Sequence, residues 1–345
     1  MVLENLYIKS NSLPHGKLNK ITDVEGVLVG HSTIEEGNSK TGITVIMPSQ
    51  DNIFAKKLTA AVHVINGYGK TSGLMQIGEL GILESPIALT NTLNVGLVQD
   101  ALVGYMLDRG KKEGIEIKSI NTVVGECNDS RINDISKRAC KEKNLLEAVG
   151  NVKRDFEEGS VGAGRGTICH GLKGGIGSSS RIIDINGNSF TLGVLVQSNY
   201  GKTAELCING KNIGTQIEKI TEKDETPETG SIMIIAATDA PLSSRQLKRV
   251  LKRASNGLAR LGSITGNGSG EVVIGFSTAN VLDINDESVI KEERVLNENL
   301  INPFFRAMGE AVEEAVLHSL LSSDGDIALD GRKVHSLKEF SHLIF

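Results

Sequence analysis

The sequence has no tryptophan, and aromatic residues make up only 3% of it. Too few flat rings remain to stack bases, and a net charge of -5 leaves no basic face for a phosphate backbone. Nucleic acid is therefore not expected as a partner. Cysteine is sparse as well: Cys127, Cys140, Cys169 and Cys207 are irregularly spaced, with no C-x-x-C pair and no histidine at zinc-finger distance. They read as reduced, structural thiols. No run of about 18 apolar residues occurs, and the opening M-V-L-E-N-L-Y-I-K-S lacks a basic region followed by an apolar one. The expected location is the cytoplasm, with no membrane partner. The seven histidines contain no H-E-x-x-H and no close pair, so neither a metal nor another cofactor is expected, and His31 and His170 read as structural. No G-x-S-x-G elbow supports a Ser-His-Asp triad.

What the chain has in quantity is glycine, 39 residues against 6 prolines, and enough apolar side chains, 39% of 345 residues, for a sizeable core. Short apolar runs bounded by Gly, Asn or Asp predict strands at Gly26 to Gly30, Gly42 to Met47, Ala60 to Ile65, Pro86 to Leu89, Thr122 to Val124 and Thr191 to Val196. Helical patterns lie between them, the clearest from Val95 to Gly110. Further on, a strand is expected at Ile232 to Ala237, then one helix with an apolar face running from Leu247 to Leu261. A strand at Val272 to Phe276 and a long helix at Phe304 to Leu321 follow. The alternation indicates a mixed α/β fold. No low-complexity linker or repeat divides it.

The most informative junction is at Ser231. The ten residues T-E-K-D-E-T-P-E-T-G, from Thr221 to Gly230, carry no apolar side chain, and S-I-M-I-I-A-A-T-D-A-P-L turns hydrophobic at once. A cut between Gly230 and Ser231 would leave a hydroxyl nucleophile and an α-amine base on one residue. Four other segments could carry chemistry. The glycine-rich run from Val161 to Arg181 could cradle a small anion, although strands bending or packing closely account for it better. In T-G-N-G-S-G-E, Ser269 and Glu271 could polarise a neighbouring serine or hold its amine. Asn199 ends a strand and could donate to an oxyanion. Glu126 and Asp129 end another, where a carboxylate facing a pocket would suit a ligand's ammonium group.

Several long segments occur in order along the chain: N-K-I-T-D-V-E-G-V-L-V-G-H-S-T, I-N-G-Y-G-K-T-S-G-L, V-G-A-G-R-G-T-I-C-H-G-L-K-G-G-I-G-S-S-S-R, G-S-I-M-I-I-A-A-T-D-A-P-L and I-T-G-N-G-S-G-E-V-V-I-G-F. The chain resembles the P1 family of serine peptidases, the L-aminopeptidase/D-esterase and β-peptidyl aminopeptidase group. The resemblance implies a four-layer α-β-β-α sandwich, similar to N-terminal nucleophile hydrolases but connected differently. It implies a single peptidase domain over residues 1–345, cut once by itself into fragments 1–230 and 231–345. Ser231 would be the nucleophile of a self-processing serine aminopeptidase, acting through an acyl-enzyme on short peptides, amides or esters with a free N-terminal amine. Ser269 and Glu271 would position and polarise it, Asn199 would stabilise the oxyanion, and Glu126 would hold the substrate's α-ammonium group. Homo-oligomers, tetramers of processed units, are implied too. Several members have a tyrosine near the position of Asn128, where this chain reads E-C-N-D. Rival readings are a related acyltransferase or amide-oligomer hydrolase, and a non-enzymatic small-anion-binding protein using the glycine-rich run 161–181.

Overall fold

The short apolar runs pair into two sheets. The computed structural model describes residues 13–221 and 230–344; the opening residues read above for targeting, and residues 222–229 of the polar segment, lie outside the described residues. Strands β1 (Leu28–Glu36), β2 (Ser39–Met47), β5 (Ile87–Asn91) and β6 (Val123–Cys127) form a four-stranded sheet in the order β1-β2-β5-β6. A six-stranded sheet combines β3 (Lys56–Gly67), β4 (Ile82–Leu83), β7 (Ile176–Ile185), β8 (Asn188–Asn199), β9 (Ser231–Thr238) and β10 (Gly270–Asp283), in the order β4-β3-β10-β9-β8-β7. Every expected strand is present, most of them longer than the apolar run that signalled them. The Asn-Gly turn between β7 and β8 has φ 50° at Asn186 and 80° at Gly187, the positive pair a type I′ hairpin needs.

Helices α1 (Leu74–Leu80), α2 (Val95–Glu113), α3 (Glu142–Gly150), α4 (Gly214–Ile220), α5 (Ser244–Leu251), α6 (Ala254–Arg260) and α7 (Asn302–Leu321) complete the main elements. Three apolar interfaces order the layers. Ile43, Val45, Ala88 and Val124 meet Val98, Leu102, Leu145 and Ala148 of α2 and α3. On the opposite face of the same sheet, Val29, Ile46, Leu89 and Val123 meet Leu195, Met233, Ile235 and Ile274 of the larger sheet. The far face of that larger sheet, with Val194, Ile232, Ile234 and Val273, packs on Leu247, Val250, Phe304 and Ala311 of α5 and α7. The result is the expected α-β-β-α sandwich. Among the described residues no helix is long and apolar enough to cross a membrane.

One expectation needs correction. The apolar face from Leu247 to Leu261 belongs to two helices, α5 and α6, separated at Lys252 and Arg253. The break lets α6 approach α7 through Gly257, where a Cβ would stand 2.6 Å from the Gly309 carbonyl. A straight continuation would keep the periodicity and lose that contact.

Close approach also explains Gly177 in β7. A Cβ there would fall 2.0 Å from the Ala315 carbonyl oxygen and 2.5 Å from the Ser319 nitrogen, both backbone atoms of α7. Gly177→Ala is expected to push α7 off the sheet at a cost of about 1–3 kcal/mol, read as a lowered midpoint in urea or thermal unfolding.

Candidate active site

Ser231 opens β9, the strand with β8 antiparallel on one side and β10 parallel on the other. Strand alternation sends Met233, Ile235 and Ala237 into the core between the sheets, and Ser231 shares their face. Directly opposite in β8 is Asn199. Its Nδ2 donates to Ser231 Oγ at 3.4 Å, while its Oδ1 accepts from the Ile168 N-H at 3.0 Å. With the amide oxygen occupied in this way, the donor end of the side chain faces the serine. That is the orientation an oxyanion would need.

Lys173 anchors the loop that presents Ile168. Its side chain is fully buried, and the amine donates to the carbonyls of Gly164 at 3.1 Å, Thr167 at 3.0 Å and Gly174 at 2.7 Å. Burial pushes this amine down to about 7, whereas three carbonyls match the three protons of the ammonium form. Reading the run from Val161 to Arg181 for its glycines passes over this lysine. The signal was a lone lysine in a segment otherwise built to be buried. The glycines serve backbone packing: a Cβ at Gly164 would lie 2.5 Å from the Ile176 nitrogen, and one at Gly175 2.3 Å from the Gly159 carbonyl oxygen. The run therefore builds the sheet edge, and the reading of it as an anion cradle loses its loop.

The bond before Ser231 is held from the other side. The Gly230 carbonyl oxygen accepts the Gly270 N-H at 2.9 Å, and a Cβ on Gly230 would come within 2.7 Å of Tyr200 Cα. Gly270 is the register partner of Ser231, which brings Ser269 and Glu271 alongside. Ser269 sits in the turn before β10, its hydroxyl donating to the Gly266 carbonyl at 2.6 Å, and Asn66 Nδ2 caps the same turn on Gly266, Asn267 and Ser269 oxygens. Glu271 is buried and pairs with Ile232, so alternation places it on the face of Val273, opposite to the Ser231 hydroxyl. Of the two roles considered for Glu271, this favours holding the amine.

Ser231 and Asn199 line a cleft of about 320 Å³ that also contains Glu126, Asn128, Tyr68 and Arg131. Glu126 is fixed by two donors, the Lys70 N-H at 2.9 Å on Oε1 and the Thr92 hydroxyl on Oε2. Asp129, the other carboxylate near this strand end, turns into the core, accepting from Thr41 Oγ1 at 2.6 Å and Asn133 Nδ2 at 2.9 Å. Burial pushes it up to about 6. Asn128 accepts the Ser130 N-H at 3.0 Å; an aromatic side chain nevertheless reaches the cleft, from Tyr68 after β3. Cys127 lies beside Ser231 with its thiol donating to the Gln197 carbonyl at 3.4 Å; burial holds that thiol far above its ordinary range despite the serine's hydrogen bond. It stays protonated and is no rival nucleophile. Burial likewise pushes His31 and His170 down to about 4, leaving neutral rings in structural hydrogen bonds with Thr44 and with the Lys202 carbonyl.

The model of peptidase family S58 matches residues 19–334. The chain belongs to peptidase family S58. The β-peptidyl aminopeptidase BapA of Sphingosinicella microcystinivorans is 35% identical to it, the match spanning 93% of this chain and 86% of that protein. Among solved structures, a Pyrococcus horikoshii OT3 protein superposes with a TM-score of 0.91 at 43% identity, covering 99% of this chain and 98% of the other. An L-aminopeptidase D-Ala-esterase/amidase from Ochrobactrum anthropi, described as a variant of the Ntn hydrolase fold, gives a TM-score of 0.89 at 32% identity, covering 99% of both chains. The S58 chain is thus a serine aminopeptidase with an Ntn-type fold.

Because Lys173 satisfies three buried carbonyls beneath the Asn199 contact, Lys173→Met is expected to destabilise the enzyme by at least about 2 kcal/mol. Urea unfolding measures the loss.

Proposed function

We propose that this S58 enzyme cuts itself between Gly230 and Ser231 and then works as one peptidase unit of fragments 1–230 and 231–345, with Ser231 as nucleophile. The observation that carries the proposal is the oriented pair across β8 and β9: a serine hydroxyl with an amide donor 3.4 Å away, at the floor of the cleft.

In the first step, Ser231 Oγ attacks the Gly230 carbonyl carbon, whose oxygen already rests on the Gly270 N-H at 2.9 Å. The C-N bond breaks, the nitrogen leaves as an amine with the hydroxyl proton, and water hydrolyses the resulting ester. The new α-amine, with an ordinary pKa of about 7.7–8.0, keeps a useful fraction as the free base near neutral pH, roughly a tenth or more, where a lysine keeps almost none. In turnover it takes the Ser231 hydroxyl proton as the oxygen attacks the first carbonyl of a substrate. Asn199 Nδ2 meets the oxyanion, and Glu126, fixed by Lys70 and Thr92, holds the substrate's α-ammonium group. Ser269 and Glu271 secure the protonated amine, which returns its proton to the leaving group. Water then frees the N-terminal amino acid from the serine ester.

Esters carrying a free amine suit the same steps, since their carbonyl presents the same trajectory. The four free thiols suit a reducing compartment such as the cytoplasm. Assembly of processed units into tetramers follows the resemblance noted above, and sedimentation of the purified enzyme tests it.

Ser231→Ala is expected to leave one uncut chain without aminopeptidase activity, while the native enzyme yields a second N-terminus reading S-I-M-I-I. Splitting of the variant at the same bond, or release of amino acids by it, overturns the assignment. Asn199→Ala is expected to lower kcat by about 10²–10³, with a smaller change in KM, when processed enzyme is assayed.

A further inference from the structure

The loop that holds the Asn199 amide closes around a charge. Between residues 164 and 174 the chain turns back on itself, the Gly174 N-H donating to the Thr167 carbonyl at 3.0 Å. Inside the turn the Lys173 amine reaches the carbonyls of Gly164, Thr167 and Gly174. A fully buried cation is costly unless its protons find acceptors, and here three protons meet three carbonyls. Charged neighbours bear on the same amine: Arg165 and Lys40 disfavour its ammonium form, whereas Asp326 and Asp129 favour it. Asp326 pairs with Lys40 and with Arg165, each at 2.5 Å, and Arg165 is shared with Glu35, so both competing cations are compensated.

The loop meets β8 at the strand end that carries Asn199. The His170 N-H donates to the Tyr200 carbonyl at 2.7 Å and the Ile168 N-H to Asn199 Oδ1 at 3.0 Å. The Thr167 carbonyl and the Ile168 N-H belong to one peptide group, planar and rigid, with the two bonds on opposite edges. Lys173 therefore grips the edge facing away from the site, and Asn199 takes the other. The side-chain amide of Asn199 repeats the arrangement, accepting on Oδ1 and donating from Nδ2 to Ser231 Oγ at 3.4 Å. Two amides stand in series between a buried ammonium and the serine, and hydrogen bonds in such a chain polarise one another.

We propose that Lys173 is a positioning residue for turnover: its ammonium fixes and polarises the Thr167-Ile168 peptide, which fixes and polarises the Asn199 amide that meets the oxyanion. The inference rests on the reading of Asn199 as that donor. Without the grip on Thr167, the Ile168 N-H is free to turn from Oδ1, and a rotated Asn199 would present its acceptor oxygen to the growing negative charge. Lys173 itself touches no substrate, so its effect belongs to the rate of the bound complex and not to binding.

A double-mutant cycle on processed enzyme tests this, with kcat and KM measured for one tripeptide in wild type, Lys173→Met, Asn199→Ala and the double variant. Lys173→Met alone is expected to lower kcat by roughly 10–100-fold with KM within about three-fold, and to add less than about two-fold to the loss in the Asn199→Ala background. Lys173→Gln, which keeps two donors without the charge, is expected to fall between lysine and methionine, and it supplies the same cycle if the methionine variant does not fold. Losses that multiply in the double variant, as a merely structural lysine would give, overturn the role. So does an unchanged kcat, or an effect confined to KM. Asn199→Ala with wild-type kcat overturns the oxyanion assignment itself, and the role of Lys173 with it.

Discussion

A slip of one residue between β8 and β9 would carry Ser231 to the helix-facing side of the sheet and leave Asn199 facing nothing it could serve. The register is therefore the constraint on which the site depends. It is enforced along the full pairing of β9, where Met233, Ile235 and Ala237 must enter the intersheet core while Ile232, Ile234 and Ala236 meet the helices. With both faces buried, a slip would leave β9 inside the core but would exchange Met233 and Ile235 for Ile232, Ile234 and Ala236 on the two faces, so the register is held by the fit of side chains of different size. Placement of the serine is thus a by-product of core packing several residues away.

The same strand explains how a cut chain can remain one enzyme. β9 lies between β8, from the segment before the proposed cut, and β10, from the segment after it. Separating the fragments would tear β8 from β9 along the pairs from Leu192 with Thr238 to Asn199 with Ser231, and would expose the cores on either side. Closeness of backbones supports this arrangement throughout. Glycines at 177, 230, 257 and 270 stand where a Cβ would strike main-chain atoms, which accounts for a composition rich in glycine and poor in bulky rings.

Much of this was legible from residue order. The turn from T-E-K-D-E-T-P-E-T-G to S-I-M-I-I marked the start of β9, Asn186 and Gly187 marked the hairpin, and the carboxylate and amide at strand ends, Glu126 and Asn199, lie in the cleft. What stayed hidden depends on pairing between distant segments. Thr92 and Lys70 fix Glu126 from two other elements, Lys173 acts through carbonyls without a side-chain partner, and the Gly270 N-H reaches Gly230 only because two strands run parallel. Periodicity likewise could not see the break between α5 and α6, because both helices present apolar residues to the same layer.

The depth at which Ser231 sits has a consequence for a chain end created there. Only 6% of the residue is exposed, so an ammonium ion at that position gives up most of its hydration, and burial favours the uncharged amine. On the proposed mechanism, Glu271, alongside in the next strand, would pull the other way by stabilising the charge. The acidity of the proposed base would then be tuned by how far one residue is sunk into a sheet, and small changes in packing around β9 would move the pH at which the enzyme switches on without altering any group that touches the substrate.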